Sequence, residues 1–124
     1  RQAMTIYGDG QQRRDFTYVK DVVAANLCAL RLDVPMGRCF GRAYNIGCGA
    51  TTTIKELADA VGREAAPLEE TFVTHVEPRV GDVKSSCADL EVSRCELGYW
   101  PKVGLAEGLR LTAPWYAQRF GGKR

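Results

Sequence analysis

Two stretches of this 124-residue chain gather side chains suited to a multiply charged, hydroxyl-bearing ligand. In the first, Arg14 and Asp15 follow the turn sequence Tyr7-Gly8-Asp9-Gly10; in the second, Arg79, Gly81 and Asp82 stand together after Pro78. A guanidinium presents a planar fork of donors that matches phosphate oxygens two at a time, and an aspartate accepts from both hydroxyls of a ribose. Glycine lets backbone approach closely. The chemistry that fits the second group is recognition of a nucleoside diphosphate. On the residues alone the plain alternatives stay open: an exposed, solvated pair of arginines, Arg13 and Arg14, at the first place, and at the second an Arg–Asp surface ion pair, common and nearly neutral in energy.

Positioning these groups requires a turn, strands and helices. Asp9-Gly10 supplies positive-φ positions and closes the apolar run Met4 to Tyr7, which predicts a hairpin whose return arm is residues 15–19, alternating apolar and polar. Asp21 is expected to cap a helix over 21–32, with Val23, Leu27 and Leu30 as a stripe facing a core. Residues 33–42 and 65–70 read as connectors, Arg38 and Arg42 suggesting a solvated loop in the first. Between them, residues 43–46 read as a short buried strand that runs into the Gly47-Cys48-Gly49 turn. Thr53 and Glu56 form a capping box for a helix over 53–64 whose stripe is Ile54, Leu57, Ala58 and Val61. Further strands are expected over 72–77 and 84–88. Asp89 should cap a helix over 90–97 that Gly98 ends before Tyr99-Trp100-Pro101. The last helix, 105–119, carries Leu105, Leu109, Thr112 and Tyr116 on one stripe, and Pro114 should kink it or split it at Ala113. Trp100 and Trp115 read as core packing. The fold class is mixed α/β.

Composition bounds the partners. The chain is 45% apolar with a formal net charge of +2, enough for one small core. No basic tail, arginine-rich helix or membrane-length apolar run occurs, so neither nucleic acid nor membrane is implied. The five cysteines, Cys28, Cys39, Cys48, Cys87 and Cys95, lack C-x-x-C spacing. They read as reduced, mostly buried thiols of a cytoplasmic protein, with a zinc site completed by His75 as the sharper alternative. Otherwise His75 is an ordinary strand residue. Gly47-Cys48-Gly49 before a helix has the parts of a dinucleotide cradle but lacks the third glycine and the acidic residue that would follow.

The motifs resemble a known family. G-D-G-x-Q-x-R-D-F-x-Y-V-x-D-V, from Gly8 to Val22, is similar to the NAD-dependent nucleotide-sugar epimerases and dehydratases of the extended short-chain dehydrogenase/reductase family. P-R-V-G-D-V-K-S-S-C-A-D, from Pro78 to Asp89, is similar to that family's second substrate motif. Tyr44-Asn45-Ile46-Gly47, the run Leu97-Gly98-Tyr99-Trp100-Pro101 and Trp115-Tyr116 resemble it further. Among its members the pattern leans toward UDP-hexose and UDP-N-acetylhexosamine 4-epimerases.

The resemblance implies roles. Arg14 and Arg79 would clamp the two phosphates, and Asp82 would hold the ribose. Backbone of Thr5, Ile6 and Tyr7 would face the base. Asn45 would lie near the bound nucleotide sugar, a backbone-satisfying role being equally open. In the parent chemistry NAD takes hydride from C4 of the sugar while a tyrosinate takes the hydroxyl proton. The family's Gly-rich cofactor turn and Tyr-x-x-x-Lys pair are both missing, since the residues four on from the five tyrosines are Gln11, Val22, Cys48, Val103 and Phe120. Residues 1–124 therefore read as the C-terminal, substrate-binding portion of a Rossmann-type fold without the cofactor half. Such a portion should be silent in catalysis and bind no NAD alone. A dehydratase fragment, or a non-catalytic module that self-associates through orphaned apolar surface, are the other readings.

Overall fold

The computed structural model describes residues 3–30, 41–65 and 72–120. The described residues form strands β1 (Met4–Tyr7), β2 (Arg13–Arg14), β3 (Thr52–Thr53) and β4 (Val73–Val76), and helices α1 (Val19–Ala29), α2 (Ile54–Ala65), α3 (Glu91–Leu97) and α4 (Leu105–Phe120). The fold is mixed α/β, as expected.

The predicted hairpin does not form. β1 pairs in parallel with β4, Met4 opposite Val73 and Tyr7 opposite Val76, while β2 pairs antiparallel with β3. Glycines 8 and 10 adopt the left-handed φ values foreseen for the turn, +76° and +74°, but the turn delivers the chain to a second small sheet. A parallel partner must come through a long crossover, so local pattern could not announce it. The strand expected over 15–19 does not form: β2 lies before it at Arg13–Arg14, residues 15–18 carry no regular structure, and Val19 already opens α1. Residues 43–46 and 84–88 form no ladder beyond a single bridge between Arg13 and Ser85. Around the first of these stretches side chains take up backbone carbonyls instead, Ser93 Oγ donating to that of Asn45 and Tyr99 Oη to that of the following Gly47.

The core is a buried cluster of Ala25, Leu90, Leu97 and Tyr99, against which Cys28, Tyr44, Ile46 and Ala88 pack. Asp21 is not the cap of α1 but a buried residue inside it; Tyr18 holds the N-cap position, with no side-chain cap bond. The face α1 turns inward is Asp21, Ala25 and Cys28, at i, i+4 and i+7. The stripe expected to face a core, Val23, Leu27 and Leu30, is 51%, 60% and 72% exposed. Small residues win the inward face because they let α1 come close to its neighbours.

α2 follows its prediction. Thr53 N and Oγ1 both donate to Glu56 Oε2 at 2.8 and 2.9 Å, and Glu56 N donates back to Thr53 Oγ1 at 3.1 Å. These bonds, the backbone amide first, hold the Glu56 carboxyl below its ordinary pKa. Ile54, Leu57, Ala58 and Val61 are buried or half-buried, and α2 packs on α4. α4 runs unsplit through Pro114. Trp100 and Trp115 are 61% and 56% exposed, not core: Trp100 lies under the Arg94 guanidinium, and Trp115 meets Tyr116 and Phe120 edge-on. Gly98 ends α3 in the left-handed region, and Asp89 Oδ1 accepts from the amide of Glu91 as α3 begins. Cys87 and Cys95 are exposed thiols, Cys28 and Cys48 half-buried; Cys39, Arg38 and most of both connectors lie outside the described residues.

Candidate functional site

The turn bearing the first motif is locked from both sides. Its carbonyls at Gly10 and Gln12 accept from Lys55 N and Ile54 N, each at 3.0 Å, so the loop satisfies the first orphan amides of α2. Gly10 is buried, and a Cβ there would lie 3.3 Å from Ile6 Cγ2 and from Lys55 Cβ. Lys84 O accepts from Arg13 N at 2.9 Å, and Ser86 N donates to Arg13 O at 3.1 Å, which sets the second motif alongside the first. Arg13 itself is structural: Nε and Nη2 donate to the hydroxyl and carbonyl of Thr51 at 2.9 and 3.2 Å.

Arg14 has a different partner. Its Nη2 pairs with Asp82 Oδ1, and its Nη1 donates to the Arg13 carbonyl at 2.8 Å. The two side chains are 26% and 30% exposed. Asp82 Oδ2 accepts from Gln12 Nε2 at 3.3 Å, and the same nitrogen donates to the carbonyl of Tyr7 at 2.5 Å. The guanidinium carbon of Arg79 stands 3.9 Å from the centre of the Tyr7 ring. Four of the seven residues singled out, Tyr7, Arg14, Arg79 and Asp82, are thus brought into one cluster across a sequence gap of about seventy residues.

The other three differ. Ile6 buries its side chain, so only its backbone, in the β1 ladder opposite His75, is open to a site role. Thr5 is exposed on the same strand. His75 is the strand residue foreseen, its Nδ1 2.7 Å from the carbonyl of Gly8. Asn45 joins Arg14 in lining a cleft of about 350 Å³, together with Thr17, Ser86 and Cys87. The sequence did not single out Gln12, Thr17, Ser86 or Cys87 as site residues. Each stands inside one of the two motifs, and that position was the available signal.

Beneath the cleft lies Asp15. Its Oδ1 accepts from Cys48 N at 2.7 Å, and its Oδ2 accepts from Gly49 N at 2.9 Å and Ala88 N at 3.2 Å. A Cβ on Gly47 would lie 2.5 Å from Ala88 Cβ and 2.6 Å from Asp15 Oδ2, so only glycine fits there. The amides of the Gly47-Cys48-Gly49 turn, which would face a phosphate in a cradle, face the chain's own carboxylate. A dinucleotide cofactor does not fit this turn. Burial, then Asp15, raises the pKa of the Cys48 thiol, and burial, then Asp21, does the same for Tyr99. Asp21 accepts from Lys102 N and Val103 N at 3.1 and 3.0 Å, joining α1 to the segment that leads into α4.

Residues 1–112 match the family model described as GDP-mannose 4,6 dehydratase. The chain belongs to this family. Its relatives include a UDP-glucose 4-epimerase of Mycolicibacterium smegmatis, 37% identical over 92% of this chain and 34% of that protein. A dTDP-glucose 4,6-dehydratase of Streptomyces griseus is 40% identical over 90% and 32%. Among solved structures, the UDP-glucose 4-epimerase of Thermotoga maritima with UDP-glucose superposes at a TM-score of 0.80, 35% identical, over 94% of this chain and 35% of that one. The UDP-glucuronic acid 4-epimerase of Bacillus cereus, in complex with UDP-glucuronic acid and NAD, superposes at 0.84 and 26% identity, over 95% and 36%. The family resemblance of the two motifs is therefore borne out for the nucleotide-sugar epimerases and dehydratases. The chain spans about a third of the length of the relatives it matches.

Proposed function

We propose that this chain is the substrate-holding portion of an NAD-dependent nucleotide-sugar epimerase of the UDP-sugar 4-epimerase kind. In this reading Arg14 and Arg79 receive the phosphates and Asp82 accepts from the ribose. The β1 backbone from Thr5 to Tyr7 faces the base, and Asn45 borders the sugar in the cleft. The carrying observation is the convergence of Arg14, Asp82, Arg79 and Tyr7 from two distant motifs. Binding energy gathered on the nucleoside diphosphate would orient the sugar for chemistry done by groups this chain does not supply. Without a Tyr-x-x-x-Lys pair or a cofactor cradle, the chain alone turns over no nucleotide sugar and binds no NAD. The compartment in keeping with four unpaired thiols among the described residues is the reducing cytoplasm.

Calorimetric titration of UDP into the chain, beside Arg14→Ala and Arg79→Ala at matched circular dichroism, tests this. The expected result is measurable binding that falls about tenfold or more in each variant, as loss of a charged hydrogen-bonding partner does. No binding by the parent chain sinks the reading. A dehydratase substrate portion would prefer dTDP over UDP in the same titration. The exposed apolar stripe of α1 favours a further reading, association through that face. Sedimentation equilibrium of the chain decides it: a monomer at every loading concentration removes it.

A further inference from the structure

Gln12 is the polar side chain in this cluster whose bonding is incomplete. Its Nε2 reaches both the Tyr7 carbonyl and Asp82 Oδ2, while its Oε1 is shielded from solvent and has no partner among the described residues. Exchanging the amide's two ends does not repair this, because Oε1 would then oppose a carbonyl and a carboxylate. The amide orientation is therefore fixed by two acceptors at the cost of an orphaned one. Buried acceptors without donors are rare, and an apolar side chain of the same shape would avoid the penalty.

What the amide does is divide Asp82. One carboxylate oxygen goes to Arg14 and the other to Gln12, so Asp82 does not close on Arg14 with both oxygens. A two-point fork is the geometry an Arg–carboxylate pair otherwise favours. Gln12 also ties the carboxylate to the last carbonyl of β1, since Tyr7 ends that strand. Building on the site reading given above, we infer that Gln12 is a positioning residue. It fixes Asp82, the hydroxyl acceptor, at a set distance from the base-facing strand and keeps Arg14 available to phosphate.

The test compares UDP with its 2′,3′-dideoxy analogue by calorimetry on the full chain. The parent should prefer UDP about tenfold, because a site built to bond hydroxyls rejects a ligand lacking them. Gln12→Met keeps the volume and removes the amide. It should bring that preference below about threefold while the melting temperature stays level or rises. Asp82→Asn should lose the preference similarly, and the double variant should lose no more than either single one, as coupled residues do. A Gln12→Met chain that keeps the parental preference overturns the inference. So does one that weakens both ligands equally, which marks a purely structural role, and so does full additivity with Asp82→Asn. If the parent binds UDP through Arg14 and any of these occurs, the site reading stands and only the role of Gln12 falls. If the parent does not bind UDP, both fall.

Discussion

Two sets of polar side chains do opposite work in this molecule. Asp15, Asp21, Ser93 and Tyr99 end on backbone: three amides on Asp15, two on Asp21, and the carbonyls of Asn45 and Gly47. Arg14, Arg79, Asp82 and Gln12 end mainly on each other and on Tyr7, in a half-open cluster. Backbone partners have no other conformation to go to while the fold persists, so the first set fixes the path of the chain. Side-chain partners near solvent can be exchanged without undoing the fold, and the proposed ligand role rests on this second set. Adjacent residues illustrate the rule, for Arg13 bonds Thr51 and holds the sheet while Arg14 meets Asp82.

The largest effect that would break this contrast is at Asp15. Asp15→Ala strands three backbone amides and should cost about 3 kcal/mol or more in urea unfolding. Asp82→Ala should stay within about 0.5 kcal/mol of the parent, since its ion pair is partly solvated. Equal costs would end the distinction. Tyr99→Phe removes a single neutral donor to the buried Gly47 carbonyl and should cost about 1–2 kcal/mol by thermal melting, without changing UDP affinity. A parental melting curve would show that bond to be idle.

The smallest effect is at the capping box. Because the folded-state pKa of Glu56 lies below its unfolded value, its contribution is present above that unfolded value and is lost as pH falls through the lower folded one. Glu56→Gln should therefore flatten the acid limb of a stability–pH profile, read by melting in the acid range. An unchanged limb would place that slope on other carboxylates.

Much of the site was legible because its chemistry is local. The turn glycines, the capping box and the Arg and Asp of both motifs are properties of short stretches, and the structure keeps them there. Less of the packing was legible. Val23, Leu27 and Leu30 make a sound helical stripe, but periodicity says only that a helix has an apolar side, not which neighbour arrives. α1 turns Asp21, Ala25 and Cys28 inward, with Asp21 receiving amides from 102 and 103, a contact eighty residues away. The two tryptophans failed for a related reason, since aromatic area signals burial only where some surface lies opposite.

By itself the sequence determined the elements whose cause is local: positive-φ glycines, the reciprocal Thr53–Glu56 cap, the buried face of α2, the stop at Gly98, and the kinds of side chain offered to a ligand. Tertiary structure alone decided that β1 pairs with β4, that Asp15 fills the glycine turn resembling a phosphate cradle, and that Gln12 and Arg14 share Asp82. Those outcomes depend on backbone amides and carboxylates brought together from distant parts of the chain, and a hydrogen-bond acceptor carries no mark in sequence of which donor will reach it.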